Sequence, residues 1–218
     1  MSEAAPGIPD REQFATPERS RLADAVRRAI DVVMTVEDAT VEQVLAAAKS
    51  IEAATAALAG PARLGPGSLR RTAPDRDHGD YLPRSPIVGE SSPLAPPIAW
   101  EWLPPRIVGR VVFGAAYEGP PNFVHGGIIA LAFDEMLGMA NIASGHPGMT
   151  GTLTVRYRRP TPLYREVVFE AWVVKVEGRR IATRGTLSCD DMLCAECDGV
   201  FVQPRPELAA RYFGPPPG

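Results

Sequence analysis

The amino-acid sequence predicts an α+β fold in which one antiparallel sheet curls around a long central helix, preceded by a helical N-terminal segment. Two observations predict this class. Nearly every position from Ile128 to Ala143 is apolar or small, and a helix that is apolar on all sides must be enclosed by protein or by lipid. Four β-strand candidates then follow with short connections, which makes neighbouring strands antiparallel.

The first helix is predicted to begin at Pro17, because Thr16 can serve as its N-cap and proline is favoured at the first helical position. Apolar residues recur at helical spacing as far as about Met34, namely Leu22, Val26, Ala29 or Ile30, and Val33. The helix therefore carries one apolar stripe.

A second helix is predicted from Thr40, since Thr40 and Gln43 have the spacing of a capping box. Its stripe runs through Leu45, Ala48, Ile51 and Leu58, and Gly60 ends it. Two helices with one stripe each predict a hairpin within residues 1–60. Because such a pair buries little surface by itself, we expect it to pack on the main domain or on another subunit.

The composition changes after the second helix. Residues 61–80 are rich in Pro, Gly and Arg, so they are predicted to be a mobile linker. Residues 81–102 carry scattered apolar side chains without a sustained period. This second part is predicted to cover the core as ordered, non-repetitive chain.

The central helix opens with a sharp turn, His125-Gly126-Gly127, and carries Asp134 and Glu135 in its middle. Lipid is excluded as its surroundings, because the apolar run is shorter than the roughly 20 residues of a membrane span and contains these two acids. Burying an ionised carboxylate is costly unless it is paired or hydrogen-bonded. Two acids in a buried helix therefore indicate chemistry.

Strands are predicted at 107–117 before the helix and at 150–158, 166–177, 180–190 and 192–203 after it. In the strand 150–158, Leu153, Val155 and Tyr157 alternate with Thr150, Thr152, Thr154, Arg156 and Arg158, which is typical of a half-buried strand. Prolines 160 and 162 end that strand, since proline cannot donate to a sheet ladder.

Composition excludes a nucleic-acid partner, because the formal net charge is −3 and no sustained basic run is present. The first residues lack the apolar core of a secretion signal. A cytoplasmic location is therefore expected. Cys189, Cys194 and Cys197 are interpreted as free thiols on adjacent strands, since no second CxxC and no nearby His completes a zinc site.

Several motifs together resemble the hotdog-fold acyl-CoA thioesterases, in particular their PaaI-like and THEM-type branch. These are the His-Gly-Gly turn, an acid nine residues after His125, Thr150, and Tyr-Arg-Arg-Pro at the end of the next strand. The resemblance covers residues from about 83 to 203. It implies a hotdog domain at 81–205, followed by a tail at 206–218, with no resemblance for residues 1–80.

The resemblance also implies an activity: hydrolysis of acyl-CoA, as in fatty acid metabolism, without a metal or redox cofactor. In that family the site lies between two subunits, which implies a homodimer or a dimer of dimers. Asp134 matches the catalytic acid, and either general-base or nucleophilic action fits it. Gly127 matches the oxyanion donor, because amides in the first turn of a helix lack intrahelical partners.

The remaining family positions are assigned to substrate binding or to shaping the cleft. Thr150 matches a residue that works with the acid of the neighbouring subunit, although an ordinary strand threonine explains it as well. Glu135 is rotated by about 100° from Asp134 and is interpreted as structural or interfacial. His125 is assigned mainly to the turn. Substrate binding is assigned to Asn122, His125, Gly126, Arg156, Arg158 and Arg159, of which the arginines match positions that meet CoA phosphates.

Two other functions remain open at this point. A binding or regulatory protein with this fold could hold an acyl thioester without hydrolysing it, although the presence of Asp134 favours catalysis. A dehydratase is disfavoured, because that branch pairs its acid with a His later in the helix, where this chain has Met139 and Ala140.

Overall fold

The computed structural model describes residues 16–60 and 83–205. The predicted linker 61–80 and the tail 206–218 lie outside these ranges. The described helices are α1 (Pro17–Thr35), α2 (Val41–Ala57) and α3 (Gly126–Ala143), and a 3-10 helix covers Ala115–Tyr117. The strands are β1 (Ala99–Leu103), β2 (Arg106–Val112), β3 (Met149–Tyr157), β4 (Glu166–Glu177), β5 (Arg180–Cys189) and β6 (Met192–Val202).

The six strands form one antiparallel sheet in the order β1-β2-β4-β5-β6-β3. Helix α3 packs against β2, β3, β4, β5 and β6, which confirms the predicted α+β architecture. The core between helix and sheet is aromatic and aliphatic. Phe133 of α3 packs edge to face against Phe169 of β4, with 5.3 Å between the ring centroids. Aromatic pairs prefer this geometry.

The predicted strand bounds after α3 are confirmed to within a residue or two. The turn between β4 and β5 uses Gly178 at a φ of 57°, and the turn between β5 and β6 uses Asp190 and Asp191 at 46° and 63°. Two consecutive left-handed residues suit the twist of a tight hairpin. These local signals placed both hairpins correctly.

The segment before α3 differs from its prediction. β1 lies within the stretch predicted to be non-repetitive, and it pairs with β2 through Trp100 opposite Gly109. Prolines on both sides of β1 obscured it, and they are tolerated because β1 is an edge strand. The predicted strand 107–117 is too long, because β2 ends at Val112 and the chain then turns into the 3-10 helix.

Helix α1 docks on the sheet domain, as predicted for the N-terminal segment. Ala23 is buried, Arg27 Nη1 donates to the Ser92 carbonyl at 2.5 Å, and Arg27 Nη2 donates to the Glu90 carbonyl at 3.2 Å. The docking face is therefore small and polar. The apolar stripe through Leu22 and Val26 remains exposed.

Helix α2 does not form the predicted hairpin with α1. Its capping box is present, with Thr40 Oγ1 accepting from the Gln43 amide at 3.3 Å and Gln43 Oε1 accepting from the Thr40 amide at 2.8 Å. Every residue of α2 is exposed in the described chain. The predicted hairpin is not observed in the described chain, because the apolar stripes of α1 and α2 are both exposed and do not pack against each other.

The three cysteines are free and buried, with Cys189 on β5 and Cys194 and Cys197 on β6. This confirms the interpretation of free thiols on adjacent strands.

Candidate active site

The chain enters α3 through a turn at residues 118–125. Asn122 has a left-handed φ of 69°, a conformation that Asn tolerates better than most residues, and its amide donates to Glu118 Oε1 at 2.7 Å. Its carbonyl accepts from the Leu163 amide at 3.0 Å. These contacts show that Asn122 fixes the turn through its backbone.

His125 is the N-cap of α3. Its Nδ1 accepts a hydrogen bond from the Gly127 amide at 2.9 Å, which satisfies one of the unpartnered donors of the first turn. The ring must therefore be unprotonated at Nδ1 in this arrangement. The amide predicted to bind an oxyanion is thus already engaged by a side chain two residues before it.

Gly126 lies against Tyr157, a residue whose part in the site sequence reasoning missed. The Tyr157 hydroxyl donates to the Gly126 carbonyl at 2.7 Å. A Cβ on Gly126 would lie 3.3 Å from the hydroxyl oxygen, and a Cβ on Gly127 would lie 3.1 Å from His125 Nδ1. Glycine at both positions lets the turn approach these two rings closely. The alternation of β3 could have flagged Tyr157, because it places that ring on the face that covers α3.

Asp134 and Thr150 are brought together. Thr150 Oγ1 donates to Asp134 Oδ1 at 2.6 Å within one chain. The family resemblance implies that this residue serves the acid of the neighbouring subunit, and that expectation stays a prediction beside the contact seen here. A hydrogen bond at this distance orients the carboxylate.

A β-bulge explains how Thr150 reaches the helix. Thr150 pairs with Phe201 and Thr152 pairs with Val200, which leaves Gly151 as an extra residue in β3. An extra residue reverses the side-chain alternation on one side of it. Thr150 therefore shares the helix side with Leu153, and the predicted assignment of Thr150 to the face of Thr152 and Arg156 is wrong.

The helix itself is less enclosed than predicted. Eight residues of α3 are buried, whereas Asp134 and Glu135 are only partly buried and Leu131 is 41% exposed. Helix α3 is long and apolar enough for a membrane span by length and composition alone, but it is the core helix of this sheet. In the single chain, one stripe of it remains uncovered, and that stripe carries both acids.

The three predicted arginines lie away from Asp134. Arg156 and Arg158 are on the outer face of the sheet, opposite α3. There Arg156 Nη1 lies 2.6 Å from Asp198 Oδ2, and Arg158 pairs with Glu196. Arg159 donates to the Leu193 carbonyl at 3.2 Å. Within one chain, therefore, the structure does not bring the arginines to the carboxylate.

Asp198 links two arginines on this outer face. Its Oδ1 accepts from Arg184 Nε at 2.8 Å, whereas its other oxygen, Oδ2, contacts Arg156. These hydrogen bonds, Arg156 first, hold the pKa of Asp198 below its usual range. Arg156, Arg158, Arg184, Glu196 and Asp198 line a shallow charged depression in which both signs are present.

Cys197 is the thiol on the helix side of β6. Burial raises its pKa to about 11, and the charges of Asp198 and Asp134 add to the effect. At neutral pH it is therefore a protonated thiol and a poor nucleophile. In the described ranges no group of three or more His, Cys, Asp or Glu side chains is placed to hold a metal ion.

Comparison with known proteins places this site in a family. The model of the thioesterase superfamily matches residues 121–195, which include Asn122, Asp134, Thr150 and all three arginines. A crystal structure of a thioesterase superfamily protein is 32% identical and superposes with a TM-score of 0.71, over 84% of this chain and 94% of that one. The chain belongs to the thioesterase superfamily. Its sheet around a central helix is the hotdog fold that the resemblance implied.

Curated members of this superfamily match a smaller part of the chain. Acyl-coenzyme A thioesterase THEM4 of Xenopus laevis is 37% identical over 92 residues, which are 41% of either chain. The mouse protein of the same name is 35% identical over 104 residues, covering 47% of this chain and 45% of its own. The chain thus spans less than half the length of these relatives.

Proposed function

We propose that this thioesterase superfamily protein hydrolyses an acyl-CoA thioester to a free acid and CoA, with Asp134 as the catalytic carboxylate. The observation that carries the proposal is the hydrogen bond from Thr150 to Asp134, at 2.6 Å. It holds an acid two helical turns below the first turn of α3, whose amides and dipole favour negative charge. The names of the curated relatives supply the substrate class.

Thr150 leaves one part of the carboxylate available for chemistry. Its single hydroxyl proton is used on Oδ1 of Asp134, so Oδ2 can face a water molecule or the thioester. As a general base, Asp134 takes a proton from water while the water oxygen attacks the carbonyl carbon. As a nucleophile, it forms an anhydride and expels the thiolate, and water then cleaves the anhydride. Both routes release one acid and one thiol.

The Gly127 amide is the proposed donor to the oxyanion in either route. It now donates to His125 Nδ1 at 2.9 Å, so the substrate oxygen must share that proton or replace the ring. In this proposal His125 accepts the hydrogen bond of the Gly127 amide whenever no substrate is bound. Asn122 and Gly126 shape the entrance through their backbone, since Asn122 lies in the turn before α3 and Gly126 is the first residue of the helix.

We also propose that the working unit is a homodimer or a dimer of such dimers. β3 is an edge strand of the sheet, and in the described chain all of its residues are exposed except Leu153 and Val155, which are half-buried. A long unpaired edge favours pairing with a second strand. The uncovered apolar stripe of α3, with Leu131 at 41% exposure, needs a cover as well.

The test is release of thiol from a panel of acyl-CoAs, measured spectrophotometrically, for the unsubstituted protein and Asp134→Asn. Hydrolysis that depends on Asp134 is the expected result. A second function, acyl-thioester binding without turnover, is favoured by one observation: the Gly127 amide is occupied by His125. Saturable binding of an acyl-CoA by calorimetry without thiol release from any of the panel would establish that alternative.

A further inference from the structure

One peptide unit at the start of α3 is hydrogen-bonded at both ends. The carbonyl of Gly126 accepts from the Tyr157 hydroxyl at 2.7 Å, and the amide of Gly127 donates to His125 Nδ1 at 2.9 Å. This carbonyl and this amide belong to the same peptide bond, whose atoms form one resonance-coupled plane. Whatever binds the carbonyl therefore acts directly on the amide.

A donor at the carbonyl changes the amide in two ways. It withdraws electron density through the peptide bond, which makes the N–H a stronger donor, as in other hydrogen-bonded chains. It also fixes the rotation of the peptide plane. Rotation matters at this position because glycine on both sides restricts the backbone less than any other residue.

We propose that Tyr157 is a positioning residue that aims and polarises the Gly127 amide toward the thioester oxygen. The inference rests on the proposed function and adds a residue to it. The Tyr157 hydroxyl donates to the Gly126 carbonyl and not to the Asp134 carboxylate, so its proposed action runs through the peptide bond.

The surroundings of Tyr157 suit a permanent donor. Burial raises the pKa of its phenol, and the neighbouring Cys197 adds to this, so the hydroxyl keeps its proton at neutral pH. The ring fits against Gly126, where a Cβ would lie 3.3 Å from the hydroxyl oxygen and from the ring carbon that bears it. The first glycine of the pair therefore makes room for Tyr157, and the second supplies the amide.

The experiment compares Tyr157→Phe with a matched control, Tyr117→Phe. The Tyr117 hydroxyl also donates to a backbone carbonyl, that of Leu94 at 3.0 Å in the segment before β1, and the backbone contact of Tyr117 with the His125 amide is kept in Phe. Tyr157→Phe should lower kcat by about 3- to 30-fold, less than the loss of an entire oxyanion donor. Its KM for acyl-CoA should stay within about two-fold, because the lost effect belongs to the transition state. Tyr117→Phe should lower the melting temperature and leave kcat unchanged.

A second measurement separates positioning from packing. In protein labelled with 15N-glycine, the Gly127 amide resonance, assigned by its absence in Gly127→Ala, should move upfield in proton shift in Tyr157→Phe and stay in place in Tyr117→Phe. An unmoved resonance, or a change in KM with normal kcat, overturns the inference while the proposed function stands. Absence of thiol release from the unsubstituted protein overturns the proposed function, and this inference with it.

Discussion

The two faces of β3 use their polar groups differently. On the helix side, Thr150 and Tyr157 each donate a hydrogen bond to α3, one to the Asp134 carboxylate and one to the Gly126 carbonyl. On the outer side, Arg156 pairs with the neighbouring strand, through Asp198. One face thus serves a site and the other serves the sheet. A strand rich in polar residues is therefore not one functional surface, and each side chain must be judged by what it contacts.

The largest loss of kcat is expected from substitution of Asp134, the carboxylate that accepts the Thr150 hydrogen bond. Asp134→Asn keeps an oxygen that can accept from Thr150 but cannot take a proton or attack as an anion, so kcat should fall by at least about 10²-fold. The melting temperature should change little, since Asp134 is only partly buried. Thiol release and thermal melting measure the two quantities.

Glu135→Gln is the matched control for this substitution, because Glu135 is the next residue on the same partly exposed stripe. Its kcat should stay within a few-fold of the unsubstituted protein. A large loss in Glu135→Gln with near-normal turnover in Asp134→Asn would reverse the assignment.

The next effect compares two threonines of β3 separated only by the bulge. Thr150→Val removes the hydroxyl bonded to Asp134, and kcat should fall by at least about 10-fold, because a hydrogen bond to a charged group contributes about 1.5–3 kcal/mol and about 1.4 kcal/mol corresponds to tenfold. Thr152→Val removes a hydroxyl on the outer face and should leave kcat unchanged. Equal losses in both variants would show that the two faces do not differ in this way.

A smaller effect is expected on the outer face. If Arg156 contacts CoA phosphates in the assembled protein, Arg156→Ala should raise KM for acyl-CoA by about 2- to 5-fold and hardly affect a thioester that lacks the nucleotide. The rise is limited because Asp198 already neutralises this arginine. Arg184→Ala is the control, since it breaks the other ion pair of Asp198. The same KM change in both variants, or for both substrates, would exclude a phosphate contact.

The smallest effect concerns stability against pH. The arginines lower the pKa of Asp198 in the folded protein. A lowered pKa stabilises the fold above the unfolded-state value of about 3.9 and ceases to do so as the pH falls through the folded value. Asp198→Asn should therefore lower the free energy of unfolding at pH 7 by about 0–1 kcal/mol, the range typical of surface ion pairs. The difference should shrink below about pH 4, and a constant difference from pH 7 to 3 would contradict this account.

Local signals in the sequence predicted most of the sheet and the central helix. Alternation and turn residues located β4, β5 and β6, and the His-Gly-Gly turn located the start of α3, because these features are decided by neighbours along the chain. Asp134 was found in the same way. The contact of Thr150 with Asp134 within one chain was not predicted, because contact partners depend on how elements stack.

The misplacement of Thr150 has a physical reason. A glycine such as Gly151 inside a strand pattern is itself a signal of a bulge. Whether the bulge forms depends on the register between β3 and β6, and the sequence of β3 alone does not determine that register. Tyr157 was missed for a different reason: alternation placed it on the helix side, but its partner is a backbone carbonyl, which no side chain in the sequence reveals. The exposure of α2 could not be predicted either, because its capping box and stripe specify a helix and not a partner.

The bulge at Gly151 also sets a rule for altering the length of this strand. Thr150 and Tyr157 stand seven positions apart, an odd interval that would ordinarily send them to opposite sides of a sheet with a period of two. They share a side only because the bulge places one extra residue between them. Inserting a single residue in this interval while the bulge is kept would therefore place Thr150 and Tyr157 on opposite faces, whereas deleting Gly151 itself leaves an even interval of a regular strand and keeps both side chains on the helix side. Any change in the length of this segment has to be considered together with the bulge.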